Sequence, residues 1–161
     1  MRISKYTPLI TIAGSVILLD QIVKAIIVHT IPLYRIKTVI PGFFNLVHTQ
    51  NPGGAFGILA NQSQGLRTVV FIIFSLFAVY IVFHFYKKSS ESYPLLSWGF
   101  ALIFGGAIGN LIDRVRFGTV TDFLDFYIGN FHWPAFNVAD SAISIGVAIF
   151  LYHLVLNKIP R

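Results

Sequence analysis

Four long apolar runs leave this chain very few folds to choose from. They cover about residues 8–28, 68–86, 95–112 and 138–156. Each approaches the roughly 20 apolar residues needed to cross the hydrocarbon of a bilayer. Backbone N–H and C=O groups find no water there, so each run is expected to be a helix. The alternating segments of a membrane barrel are absent. The expected class is an all-α membrane protein with four transmembrane helices, a single domain over residues 1–161. Composition agrees, with 55% hydrophobic and 11% charged residues, against roughly 25% charged in an ordinary soluble domain. Sixteen Phe and seven Tyr exclude a disordered chain.

The formal net charge is +6. The basic residues stand singly or in pairs beside apolar runs, which suits a membrane protein and argues against a nucleic-acid partner. There is no cysteine, hence no disulfide framework, thiol nucleophile or thiolate metal site. The first run follows Arg2 and Lys5, as a signal peptide would, but it has no small-residue cleavage site and continues past Asp20. A retained helix is expected, with a cleaved signal as the alternative.

Four spans put both termini on one side. That side carries Arg2, Lys5, Lys87, Lys88, Lys158 and Arg161 in three short segments. The other carries Arg35, Lys37, Arg67, Arg114 and Arg116 over two longer loops. Basic density in short flanking segments places the termini in the cytoplasm. The first outer loop (about 29–67) contains a β-prone stretch, Val39–Thr49, with a Pro-Gly turn, and then a glycine-rich Gln50–Gly57. A small β element on the outer membrane surface is expected there. The other outer loop (about 113–137) holds Asp122–Ile128 and Trp133, with aromatics suited to the interface.

All five aspartates fall in the outer half or at the outer boundary of the spans, whereas Glu91, the one glutamate, falls on the cytoplasmic side. Charge within a bilayer costs roughly 2.5–3.5 kcal/mol per residue, so its presence marks function. Asp20 and Lys24 share one helix face, either as an ion pair holding helices in register or as a substrate contact. Asn110, Asp113 and Arg114 share a face at the end of the third run. Ala101, Gly105 and Gly109 form a small-residue seam on another. Asn137, Asp140, Ser141 and Ser144 make one polar stripe opening the fourth run. Asp140 there is either a helix N-terminal carboxylate or a functional one. Spacing does not choose between Asp122 and Asp125 as its counterpart. Two aspartates meeting at a membrane surface suit acid–base hydrolysis. Two close carboxylates share one proton, so the ionised member takes a proton from water while the protonated one polarises a carbonyl. The five histidines are dispersed without a zinc motif, and no Ser nucleophile motif occurs.

Taken together, five blocks resemble the lipoprotein signal peptidases, the type II signal peptidase family of bacteria. The blocks are Asp20-Gln21-x-x-Lys24, Asn51-Pro52-Gly53-Gly54-Ala55-Phe56, Gly105 to Arg114, Val120-Thr121-Asp122-Phe123, and Phe136-Asn137-Val138-Ala139-Asp140-Ser141. The resemblance covers nearly the whole chain. It implies a membrane aspartic protease with four spans, a small extracytoplasmic β element, a loop/helix flap and a site toward the outer face. It implies Asp122 and Asp140 as the catalytic dyad, with Asp125 auxiliary. Asp20, Lys24, Asn51, Gly53, Asn110, Asp113, Arg114 and Asn137 become substrate-binding positions. No metal or cofactor is implied. The implied substrates are diacylglyceryl-modified prolipoproteins, cut just before the lipidated cysteine. The implied surroundings are membrane lipids, globomycin-like inhibitors and the bacterial inner membrane, with a monomeric enzyme. Gly54 departs mildly from the family pattern, where alanine or a larger apolar residue is frequent. A small proton-coupled transporter is the alternative reading, since membrane aspartates also relay protons. Its carboxylates would lie near the midplane on broken helices. A purely structural four-helix assembly protein leaves the aspartate clustering unexplained.

Overall fold

The computed structural model describes residues 4–53, 62–89 and 93–156. Arg2, Gly54, Glu91, Lys158 and Arg161, on which parts of the sequence reading rest, lie outside them. The elements run α1 (Thr7–Thr30), β1 (Ile36–Ile40), β2 (Phe44–Asn51), α2 (Gln64–Ser89), α3 (Pro94–Phe117), β3 (Val120–Ile128), β4 (Phe131–His132) and α4 (Val138–Val155). All four helices are long and apolar enough to cross a membrane.

Local chemistry sets the helix ends. Proline stands in the first turn of α1 and of α3, where its missing N–H is not needed. Helix α3 outruns its apolar segment and carries Asn110, Asp113 and Arg114 inside its last turns. It stops at Gly118, whose φ of 74° is left-handed, and whose N–H returns to the Arg114 carbonyl. Helix α4 opens on a capping box. Asn137 accepts from the Asp140 N–H, and the Asp140 carboxylate accepts from the Asn137 N–H.

Helix α3 is the hub. It packs against α1, α2 and α4, and α1 also meets α4, while α2 lies close along α3 and touches α1 through Tyr86 at one end. Small residues permit this close approach. A Cβ on Gly105 would stand 2.8 Å from the Ala13 Cα of α1, and one on Gly106 would strike the Ala139 carbonyl of α4. The expected seam Ala101–Gly105–Gly109 faces α1, and a second one through Gly99 and Gly106 faces α4. One apolar core gathers Leu9, Ala13, Tyr86, Leu96, Phe100 and Ala101. The remaining apolar surface, including Leu18, Ile22, Ile73, Phe74 and Phe77, points outward. A bilayer accounts for such a surface on spanning helices.

The outer loops join into one antiparallel sheet of order β1-β2-β3-β4. The β-prone stretch is a hairpin that starts three residues earlier than expected and turns through Gly42 (φ 80°). The second outer loop, read from sequence as interfacial, is largely a strand. Strand β3 pairs with β2 in a register that sets Thr49 opposite Asp122 and Asn51 opposite Val120. Ile27 and Ile31 at the end of α1 and Phe123 of β3 form the cluster beneath the sheet.

Because the Gly106 Cα abuts backbone, Gly106→Ala is expected to destabilise the protein by about 1–3 kcal/mol. Thermal unfolding in detergent measures this, and an unchanged midpoint contradicts the backbone contact.

Candidate active site

Asp122 and Asp140 arrive from different directions. Asp122 comes from the start of β3, where the sheet meets the helices, and is almost wholly buried. Asp140 comes from the first turn of α4 and is half-buried. Two asparagines join them. The Asn137 Nδ2 donates to Asp122 Oδ1 at 2.7 Å and lies 3.2 Å from Asn110 Oδ1. The Asn110 Nδ2 donates to Asp140 Oδ1 at 2.7 Å. A continuous path of carboxylate, amide, amide and carboxylate therefore ties β3 to α4 through α3. The second Asp122 oxygen accepts from Asn51 Nδ2 at 2.9 Å. Asn51 is itself oriented by its Oδ1, which accepts the Gly53 N–H at 2.9 Å. Gly53 has φ 83°, and a Cβ there would stand 2.6 Å from the Phe71 ring, so the turn requires glycine twice over.

Burial raises the proton affinity of Asp122 by desolvating its charged form, and its pKa is pushed up to about 6. The hydrogen bond from Asn51 opposes this, the Asp140 charge adds to it, and the bond from Asn137 opposes it again.

Asp20, Lys24 and Asp113 stand beside the dyad with their bonding directed inward. Lys24 Nζ lies 2.8 Å from Asp20 Oδ2, 3.0 Å from Asp113 Oδ2 and 3.1 Å from Asn110 Oδ1. Its three donors are then all used. Asp20 Oδ1 accepts the Ala139 N–H of α4 at 2.9 Å. Asp113 accepts the Thr121 N–H at 3.0 Å and Gln21 Nε2 at 2.9 Å. Of the two sequence readings of Asp20 and Lys24, an ion pair that holds helices in register matches this geometry.

Arg114 differs. Its Nη1 reaches only the Asn110 carbonyl, at the 3.5 Å limit, and its buried Nε has no partner among the described residues. The guanidinium lies 5.8 Å from the centre of the Phe71 ring. Its donors are available beside the dyad.

Asp125 is apart from all of this. It accepts from Asn45 Nδ2 at 2.8 Å and pairs with His132 Nδ1 at 2.8 Å, farther along the sheet. Ser141 returns its hydroxyl to the Asn137 carbonyl. Gln21, Thr121 and Phe71 shape the site although sequence reasoning gave them no role. Gln21 and Thr121 sat inside quoted blocks, whereas nothing marked Phe71 within an apolar run. Among the described residues no group of three or more His, Asp or Glu is placed to hold a metal ion.

The family described as "Signal peptidase (SPase) II" matches residues 12–156. A protein named lipoprotein signal peptidase from Desulforapulum autotrophicum is 51% identical over 145 residues, 90% of each chain. One of the same name from Syntrophotalea carbinolica is 46% identical over 94% of this chain and 92% of its own. A solved structure described as a bacterial membrane enzyme superposes with a TM-score of 0.82 at 34% identity, covering 93% of this chain and 88% of that one.

The Asp122 carboxyl is expected to lose its proton as pH rises through about 6, read as loss of the protonated carboxyl band in infrared difference spectra against Asp122→Asn. Asn51→Ala removes a bond that favours the charged form, so its midpoint should move to higher pH. Since the folded protein holds this proton more tightly than the unfolded chain, its stabilising effect is present at low pH and fades as pH passes about 6. A midpoint near 4 contradicts the burial argument.

Proposed function

This chain belongs to the signal peptidase II family, and we propose that Asp122 and Asp140 are its catalytic pair. The protein is an aspartic protease that removes signal peptides from prolipoproteins. The observation that carries the assignment of the pair is the bridge through Asn137 and Asn110, which holds the two carboxyl groups as one unit. Desolvation raises the proton affinity of Asp122, which makes it the member of the pair that carries the shared proton in this scheme. Asp140 then takes a proton from water as its oxygen attacks the scissile carbonyl carbon. Asp122 gives its proton to the carbonyl oxygen, forming a tetrahedral diol. Collapse of the diol breaks the C–N bond, a proton passes to the departing amine, and the pair regains its starting charge. The two acids titrate as a unit, so macroscopic values belong to the pair.

The substrate is a prolipoprotein already carrying diacylglycerol on its cysteine, cut at the bond just before that residue. Helix α2 does not pack on α4, which leaves the α3 face between them open to the bilayer. A signal-peptide helix can lie in that gap while the acyl chains stay in lipid. Arg114, with unused donors beside the pair, holds a substrate carbonyl or ester oxygen. Asn51 and Gly53 set the edge of the site, and Asp20, Lys24 and Asp113 position it from behind. A globomycin-like cyclic peptide fits the same cleft as an inhibitor. The helix ends near Lys5, Lys87 and Lys88 face the cytoplasm of the inner membrane, with the catalytic pair at the opposite end. The enzyme acts as a monomer, since one chain supplies both acids. The transporter reading finds no support in the helices, which are continuous where a transporter would break them.

Asp122→Asn and Asp140→Asn are each expected to abolish cleavage of a diacylglyceryl prolipopeptide by purified, folded protein. Turnover retained in either variant removes the pair. An unlipidated precursor should be cut far more slowly, and equal rates would show that the lipid is not recognised.

Arg114→Gln should lower kcat/KM by about 10²-fold or more, the loss typical of one donor aimed at a developing charge. An unchanged value would show that Arg114 only packs.

A further inference from the structure

A second cleft lies on the other side of α2, behind the strands that carry the catalytic pair. Helix α2 meets α1 only at the end where Tyr86 packs on Leu9 and Ala13, and toward the other end the two helices diverge on either side of α3. At the outer end of the α1–α2 gap is a cavity of about 420 Å³ walled by Val28, Leu33 and Phe117, with His48 in its lining. A smaller cavity of about 130 Å³ shares Val28, Phe117 and Thr121 with it, is lined by His29 and Arg116 at its rim, and is floored by Gln21, Lys24 and Asp113 of the buried network. Successive side chains on a strand alternate. Gln50 and Thr121 therefore occupy the face opposite Asn51 and Asp122, and this cleft, which His48 also lines, lies behind the Lys24–Asp113 network and not in front of the pair.

Its chemistry is selective. His48 is more than nine-tenths buried, and its Nδ1 lies 2.8 Å from the Ile31 carbonyl. A carbonyl only accepts, so Nδ1 carries a proton, and a ring with that one proton has Nε2 as an acceptor. That Nε2 is buried and has no partner among the described residues. A buried polar atom of this kind calls for a partner, which a ligand hydroxyl in the cleft can supply. His29 and Arg116 stand at the outer ends of α1 and α3, at headgroup depth, and neither forms an ion pair among the described residues. Apolar walls, a cationic rim and a buried acceptor together describe the complement of one molecule that the bilayer itself supplies.

We propose that this cleft binds an anionic phospholipid with a hydroxylated headgroup, of the phosphatidylglycerol type. The phosphate lies between Arg116 and His29, a headgroup hydroxyl donates to His48 Nε2, and the acyl chains run down the gap between α1 and α2. The bound lipid fills the space behind β2 and β3 and so braces the strands that hold Asn51 and Asp122.

The full-length protein, in nanodiscs of equal phosphatidylglycerol and phosphatidylcholine, tests this when it is released in mild detergent and its retained lipid is weighed by intact-protein mass spectrometry. One basic side chain near a phosphate contributes roughly five-fold in association, so phosphatidylglycerol should be enriched by at least that factor. Arg116→Gln should lower the enrichment by roughly five-fold, and Arg116→Lys should keep most of it. Arg116 is exposed, and the thermal midpoints of both variants check that they fold. His48→Phe should erase the preference for phosphatidylglycerol over phosphatidic acid, which lacks the headgroup alcohol. Equal retention of phosphatidylglycerol and phosphatidylcholine overturns the proposal, as does enrichment that survives Arg116→Gln. Preferential retention of phosphatidylethanolamine in a three-lipid disc also overturns it, since that headgroup brings no net negative charge. The readout is bound lipid rather than cleavage, so it is independent of the assignment of the catalytic pair.

Discussion

The buried network of Asp20, Lys24 and Asp113 is the constraint on which the rest of this molecule depends. Three charges sit in the interior, each less than a twentieth exposed. Burial of charge is costly unless every lone pair and proton finds a partner. Here each does, and the partners lie on different elements. Lys24 ties α1 to α3, Asp20 takes an N–H from the first turn of α4, and Asp113 takes one from β3. A carboxylate at the N-terminal turn of α4 also suits the helix dipole. The network converts a bundle held by apolar contact, which tolerates sliding, into one with a single register. Asn110 borders it through its Oδ1 and touches Asp140 through its Nδ2, so that register passes directly to Asp140 and, through Asn137, to Asp122.

The glycines of α3 make that network reachable. Gly109 lies against the Asp20 carboxylate, and Gly105 lies on the backbone of α1. A side chain at either position would part the helices by more than a hydrogen bond can span. Lipid tails are as apolar as leucine, so spanning helices gain little from burying leucine against one another. Close backbone contact and polar bonds supply the cohesion instead. Helix α2 has few of these and lies chiefly against α3, touching α1 through Tyr86 at one end. Its isolation leaves two clefts open to the bilayer, one in front of the catalytic pair and one behind it.

Four spanning helices were legible because about 20 apolar residues in a row can do little else in water or lipid. The small-residue seam facing α1 was legible from its four-residue spacing. Other features were not. Helix α3 runs through Asn110, Asp113 and Arg114 because its polar last turns are satisfied by neighbours that a hydropathy pattern does not contain. Strand β3 looked like an interfacial loop because it is buried on both faces and its buried residues include Thr121, Asp122 and Asp125 as well as Phe123, so no alternation of polar and apolar residues marks it. Phe71 was invisible within an apolar run until the fold put it under Arg114 and beside Gly53.

By itself the sequence determined the membrane class, the number of spans and the clustering of its aspartates toward one end of those spans, all of which follow from one-dimensional patterns of solvation. It also carried five motif blocks that mark the family. Only the tertiary structure decided which polar residues face inward as a pin and which keep donors free. It set Asp125 against Asn45 and His132, away from Asp122 and Asp140, and it linked those two through a pair of amides. Spacing along a chain places a residue on a face of its own helix or strand. Which partner that face meets depends on how several elements pack at once, and hydrogen bonds form only after the packing is set.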